Sequence, residues 1–339
     1  MHTSWSFPPS FESSIREALK SFDLTLEDSK ALAKCVLALS DYFIQKPDGQ
    51  TPWHESWAQI AYLAYFLPLN ATRLNRLVHE ADARGFFEGI EHVIDFGAGL
   101  ATASLTLSEK HHFKFHLVER SQEPQKLIEK YFTQFKAEEW QKTWGKQNLK
   151  DPKKTLALFS YSLTELSDIP DWAYNCEALM LVEPSTQQDG RKLLDLRQKL
   201  IDKGYQAWAP CTHQLACPLY SQSKHDWCHD RVHFAAPSWF LKMEEQLPMK
   251  NRTLTMSYVL MRKTPAPKIL AARVVGDRLE EKGKDRQMVC RSPEREFLAW
   301  LHKTGLRQEI PRGVLIDLPA DLPKVSNELR VNQEIKVLK

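Results

Sequence analysis

No run of about eighteen apolar residues occurs in this chain, so the sequence offers no membrane-spanning helix. No basic segment followed by an apolar core opens it, so no secretory signal is expected. The opening MHTSWSFPPSFESS is not rich in arginine, which argues against a transit peptide. Together these absences predict a bacterial-type cytoplasmic protein with no membrane partner. There is no internal repeat and no low-complexity segment. The net charge is only +3, which is too small for a whole-protein polycation argument. Cysteine is scarce, at six in 339 residues. Without secretion disulfides are not expected, so clustered cysteines read as metal ligands or redox groups.

What is present is ordinary for a soluble globular protein, with 42% apolar and 26% charged residues. The length suits one large domain with additions, or two domains. From Phe11 to Gly85 the apolar spacing is helical. Leu32, Cys35, Val36, Leu39 and Phe43 make one stripe, which places Cys35 in a core. Asp28 is the expected cap of that helix, and Pro47-Asp48-Gly49 its expected end. Pro68 is expected to stop or kink the next helix. At Gly89 the period changes. Strands at 92–96, 114–118, 155–159 and 178–182 alternate with helices, which predicts a parallel, doubly wound α/β sheet of the Rossmann-like class. A further strand and helix are expected between Tyr131 and Lys154. The domains read as a helical N-terminal region (1–88), an α/β domain (89–264) with a cysteine-rich insertion (209–250), and a small β-rich appendage (265–339). Short strands are expected at 269–275, 286–291 and 314–318, with a loose tail after Pro323.

The turn after the first strand of the sheet, within VIDFGAGLAT (93–102), is where such sheets bind ligands. Glycines let the backbone approach a ligand, and an acid ending the next strand accepts hydrogen bonds from a ribose. Asp95, Gly97, Gly99 and Glu119 fit that layout, with Glu119 24 positions after Asp95. An acid before the glycines suits the amino-acid cation of S-adenosylmethionine, whereas a dinucleotide site needs three glycines for a pyrophosphate. The third glycine position is Ala101, a departure expected to weaken binding. After a later strand, Tyr161 and Glu165 are candidate pocket residues, and Tyr161 is included among the cofactor-binding candidates. No residue is assigned a catalytic role.

Half of the cysteines fall in the eighteen residues CTHQLACPLYSQSKHDWC (211–228). Cys217 is followed by Pro218, as in bacterial ferredoxin cluster runs. A cluster needs four thiolates or three and a substitute. Cys176 precedes a buried strand and reads as structural. Cys290 is the remaining candidate, if the appendage folds back. Zinc is the rival, because His213, His225 and His229 lie near, and spacing leaves iron–sulfur and zinc both open.

Leu181-Val-Glu-Pro184, Ala209-Pro-Cys-Thr-His213, Cys217-Pro218, Asp226-Trp-Cys-His229, Phe234 to Trp239 and Ser257-Tyr258 together resemble the methyltransferase-like assembly factors of the small ribosomal subunit, known from mitochondria and bacteria. The resemblance extends from Tyr62 to Cys290. It implies a class I methyltransferase fold, S-adenosylmethionine binding, and a 4Fe-4S cluster on Cys211, Cys217, Cys228 and Cys290. It also implies association with the small subunit and its ribosomal RNA during assembly. The chain is expected to be monomeric. The alternatives are an active RNA methyltransferase and a zinc-stapled protein-binding module. Between Arg262 and Arg312, thirteen Lys and Arg face seven Asp and Glu. Arg273, Arg278, Lys282, Lys284, Arg286 and Arg291 are therefore the expected phosphate-contacting face.

Overall fold

The computed structural model describes residues 3–46, 50–143, 149, 151–166 and 168–338. The chain divides into two units: Thr3–Leu179 with Val232–Leu254, and Met180–Arg231 with Thr255 onward.

The first unit opens with helices Pro9–Lys20 and Ser29–Gln45. Asp28 occupies the cap position, but its carboxylate is taken by the Thr25 amide and hydroxyl, at 2.8 and 2.7 Å. The expected stop at Pro47-Asp48-Gly49 lies outside the described residues. Pro68 does not stop its helix. Ser56–Ala61 widens into a π-turn over Tyr62–Phe66 and continues as Leu67–Ala83. Proline lacks the N–H of a regular ladder and clashes with the carbonyl four residues back. The wider turn, in which the Leu67 amide reaches Tyr62 O, displaces that ladder just before Pro68.

Four adjacent parallel strands of a nine-stranded sheet belong wholly to this unit. His92–Phe96 pairs with Lys114–Val118 on one side and Thr155–Ser160 on the other. Glu139–Gln141 pairs outside Lys114–Val118. This short strand lies in the weakly patterned stretch after Tyr131. Helices Thr102–Ser108 and Gln122–Tyr131 fill the crossovers. The chain first builds the sheet outward from His92–Phe96 and then returns to its other side. Such a reversal leaves a crevice at the carboxyl ends of the strands. The doubly wound Rossmann-like class expected from the alternation is the one observed.

In the second unit, helix Gln187–Asp202 precedes strand Gln206–Ala209, which runs antiparallel to Thr253–Arg262. A separate seven-stranded sheet follows. Ala272–Glu281, Lys284–Cys290 and Glu296–Leu301 form its antiparallel centre. Glu296–Leu301 is absent from the sequence reading. The tail is not loose: Lys324–Val325, Glu328–Arg330 and Lys336–Val337 are all strands of this sheet. Leu329, Val331 and Ile335 anchor them in the core around Trp300 and Ile316. Their apolar alternation is too short to read without the sheet that receives it. No helix of the described residues is long and apolar enough to cross a membrane.

Candidate functional sites

The turn after His92–Phe96 belongs to the first unit. Asp95 is the next-to-last residue of this buried strand and is 2% exposed. The Ser104 hydroxyl donates to its Oδ2 at 2.7 Å. Burial, only partly offset by that bond, pushes the Asp95 carboxyl up to about 6. Gly97 has φ +70°, and an added Cβ would fall 2.6 Å from Ser162 Cβ. Gly97 is thus required by backbone geometry and by its neighbour, before any ligand is considered. Ala101 adopts the left-handed conformation (φ 48°) at the start of helix Thr102–Ser108, where an L side chain is strained.

Glu119 follows the neighbouring strand. Its two carboxylate oxygens accept the Gly99 and Ser121 amides, each at 2.9 Å. The acid therefore staples the turn as well as facing the crevice edge. Tyr161 follows the strand on the other side, with φ 59°. Asp95, Gly97, Gly99, Glu119 and Tyr161 thus gather at the carboxyl edge of three adjacent strands. Glu165 is raised by burial and then by the Glu119 charge.

Two aromatic residues at this turn escape the sequence reading. Trp53 approaches Gly99 so closely that a Cβ there would sit 3.4 Å from its Cζ2. Tyr62 packs on Trp53, with ring centroids 4.5 Å apart. Burial raises the Tyr62 hydroxyl, and the Glu165 and Glu119 charges add to this. An aromatic in or just before an apolar helix looks like core from sequence, so no signal marked these two.

The cysteine centre lies wholly in the second unit. Cys211, Cys217, Cys228 and Cys290 line one cavity, with Leu194, Leu219 and Val275 as apolar wall. Cys290 comes from the strand Lys284–Cys290, and the Thr212 hydroxyl donates to its carbonyl at 3.1 Å. The His213 ring Nε2 is 3.4 Å from Cys290 Sγ. Burial raises the Cys217, Cys228 and Cys290 thiols, and the charge of the other cysteines raises each further. Burial and then Arg197 hold the His213 imidazole down to about 4. Cys176 is fully buried and Cys35 half-buried, and neither lines this cavity. Among the described residues, no three His, Cys, Asp or Glu side chains are placed to hold one metal ion.

The sequence reading also misses Arg197. It is 1% exposed, and its Nε donates to Cys211 Sγ at 3.0 Å. Its Nη2 donates to the His213 and Leu215 carbonyls, at 2.8 and 3.0 Å. The signal was available: Leu193, Arg197 and Leu200 fall at helical steps, which sets one cation on an apolar stripe.

The basic face expected in the appendage is largely neutralised. Arg273 is buried against Asp230 at 2.6 Å and the Tyr258 hydroxyl at 2.7 Å. Arg278 pairs with Asp285, Arg286 with Glu281, and Lys284 with Glu328. Arg291 pairs with Glu296 at 2.7 Å. Of the six cations, Lys282 alone is exposed and outside an ion pair to a described residue. Strand pairing contributes: Asp285 and Glu281 lie diagonally across from Arg278 and Arg286 on the neighbouring strand, within side-chain reach.

Residues 56–301 match the sequence profile of the family described as "Mitochondrial small ribosomal subunit Rsm22". This overturns the bacterial-type cytoplasmic location expected above and points to mitochondria instead. The lack of an arginine-rich opening was a poor guide to compartment. No curated protein sequence matches the chain. Several solved structures are similar at low identity. One, from Pyrococcus horikoshii, is described as a candidate RNA methyltransferase: identity is 13%, coverage 57% of this chain and 84% of that one, and the TM-score 0.37. A precorrin-6y C5,15-methyltransferase of Geobacter metallireducens shows 15% identity over 54% of this chain and 88% of its own, with TM-score 0.35. The magnesium protoporphyrin IX methyltransferase of Synechocystis, with bound SAH, shows 12% identity over 57% and 82%, with TM-score 0.31. The family match spans well over half of the 339 residues, and the chain belongs to the Rsm22 family of the mitochondrial small ribosomal subunit.

Proposed function

We propose that this protein is an assembly factor of the small ribosomal subunit that binds ribosomal RNA, S-adenosylmethionine and a 4Fe-4S cluster. The observation that carries the reading is the convergence of Cys211, Cys217, Cys228 and Cys290 on one cavity of the second unit. Four half-buried thiols lining one cavity form a ligand set that becomes thiolate when a metal binds, and iron is a metal that takes such a set. A zinc ion requires four ligands about 2.3 Å from one point. The four thiols line one cavity; the cluster is the reading we adopt from the family resemblance, and the zinc-stapled alternative is separated from it by metal assay. The cluster would be a structural or electron-carrying group.

In the first unit, Asp95, Gly97, Gly99, Glu119 and Tyr161 are the residues proposed to hold S-adenosylmethionine. The cofactor, when bound, carries a transferable methyl group. The buried Asp95 carboxylate suits its amino-acid cation, and Glu119 with Glu165 gives the crevice a negative edge. The RNA contact falls to the exposed cations Lys268, Lys282, Lys303 and Arg307, which pair with no described acid. Monomeric behaviour in the absence of a ribosomal partner belongs to the same proposal.

Protein purified without oxygen should be brown and carry about four iron and four sulfide per chain. Cys211→Ser, Cys217→Ser, Cys228→Ser and Cys290→Ser should each lose the colour. Colourless wild type with one equivalent of zinc would decide for the rival. An unchanged cluster in Cys290→Ser would place the fourth ligand elsewhere.

A further inference from the structure

Arg197 is a permanent cation with almost no exposure, and every partner it has is near the cysteine cavity. Its hydrogen bonds go to Cys211 Sγ and to two carbonyl oxygens. Its Nη1 is buried and has no partner. Among the described residues no carboxylate pairs with it. A buried unpaired charge is disfavoured by several kcal/mol, so a counter-anion is needed. Among the described residues, the acidic groups that act on it are the thiols of Cys211, Cys217 and Cys290. Neutral thiols do not supply that charge, whereas thiolates bound to iron or zinc leave the centre with net negative charge.

We infer that the four-cysteine centre is anionic in the working protein, and that Arg197 is its built-in counter-charge through the Nε contact on Cys211 Sγ. This rests on the proposal that the cavity holds a thiolate-bound group, but it holds for iron and for zinc. Arg197 acts as a positioning residue. It hydrogen-bonds a ligand sulfur and lowers the negative potential that a further electron must meet. A hydrogen bond to a ligand sulfur and a nearby positive charge both favour the reduced cluster.

The test uses full-length protein purified without oxygen, as wild type, Arg197→Gln and Arg197→Lys. Iron, sulfide and zinc are assayed first, then the centre is titrated with dithionite, which adds one electron to it, and challenged with a chelator. In Arg197→Gln, the reduced-to-oxidised ratio at a fixed potential should fall at least tenfold, which is about 59 mV for one electron. Metal release to the chelator should be at least tenfold faster. Arg197→Lys keeps the charge and loses the planar Nε contact, so it should fall between the two. If Arg197→Gln does not fold by circular dichroism, Arg197→Lys carries the test.

Equal potentials and equal release rates in all folded forms overturn the role of Arg197 while leaving the cluster standing. A wild type that holds zinc and no iron overturns the cluster alone, and slower release from wild type than from the variants then still supports the counter-charge. A wild type that takes up neither iron nor zinc overturns both.

Discussion

Replacing Asp95 with asparagine should make the cofactor-free protein more stable and unable to bind S-adenosylmethionine. The carboxyl is 2% exposed and raised from its ordinary 3.8 to about 6. That displacement corresponds to about 3 kcal/mol of preference for the protonated form in the folded state. A raised acid binds more protons folded than unfolded between those two values. Its stabilising contribution is therefore full below about pH 4 and lost as the pH rises through about 6. At pH 7 the wild type carries a buried charge held by the Ser104 hydroxyl at 2.7 Å. Asparagine keeps that acceptor and removes the charge, though its amide donors need partners of their own. A net gain of about 1–3 kcal/mol at pH 7 is expected, shrinking to nothing by about pH 4. Guanidinium unfolding at several pH values measures it. S-adenosylhomocysteine at 100 times its Kd should stabilise the wild type by about 2.7 kcal/mol and the variant not at all. A variant no more stable at pH 7, with a difference that is flat with pH, would refute the buried-charge reasoning. Equal stabilisation of both proteins by the ligand would remove Asp95 from the cofactor site.

Cys176→Ser and Cys35→Ser should keep full iron content, because neither thiol lines the cavity; iron assay against the four ligand variants checks this. Ala101→Gly should be neutral or stabilising by up to about 1 kcal/mol in thermal unfolding, since it relieves a left-handed alanine at φ 48°. Arg273→Glu should destabilise by about 3–5 kcal/mol, because Asp230 is left buried without its partner at 2.6 Å. Reversing Lys268, Lys282, Lys303 and Arg307 together should leave unfolding unchanged and flatten the salt dependence of binding to small-subunit RNA; an unaltered salt slope in a filter-binding titration would place the contact elsewhere.

Strand alternation and the residues of the first turn were legible because each is local. A buried parallel strand reads as a short apolar run, and an acid before two glycines is a fixed spacing. The same holds for Cys211, Cys217 and Cys228, which lie within eighteen residues. Cys290 was reached by elimination, and only the sheet shows how a cysteine 62 positions after Cys228 arrives at the same cavity. The partners of the site were less legible. Trp53 lies in the turn before an apolar helix and Tyr62 within it, so nothing local separates a crevice wall from core. Arg197 was visible as an oddity on an apolar stripe, but its meaning depends on Cys211, fourteen positions away across a strand.

Charge shows where composition misleads. The count over Arg262 to Arg312 treats every side chain as equally available to a partner. Antiparallel pairing does not allow that. Lys284–Cys290 runs beside Ala272–Glu281 with Arg278 opposite Gln287 and Leu279 opposite Arg286. Acids at 281, 285, 296 and 328 then fall within reach of cations at 278, 284, 286 and 291. Half-buried pairs of this kind persist at salt that screens exposed charges. A phosphate would have to displace an acid at each of them, whereas an exposed lysine has only counterions to release. If the proposed RNA contact is made by the appendage, it falls to the cations at 268, 282, 303 and 307, outside the described ion pairs of the strands. A salt slope near that of three or four phosphate contacts, and not of ten or more, is the value this arrangement predicts for the appendage.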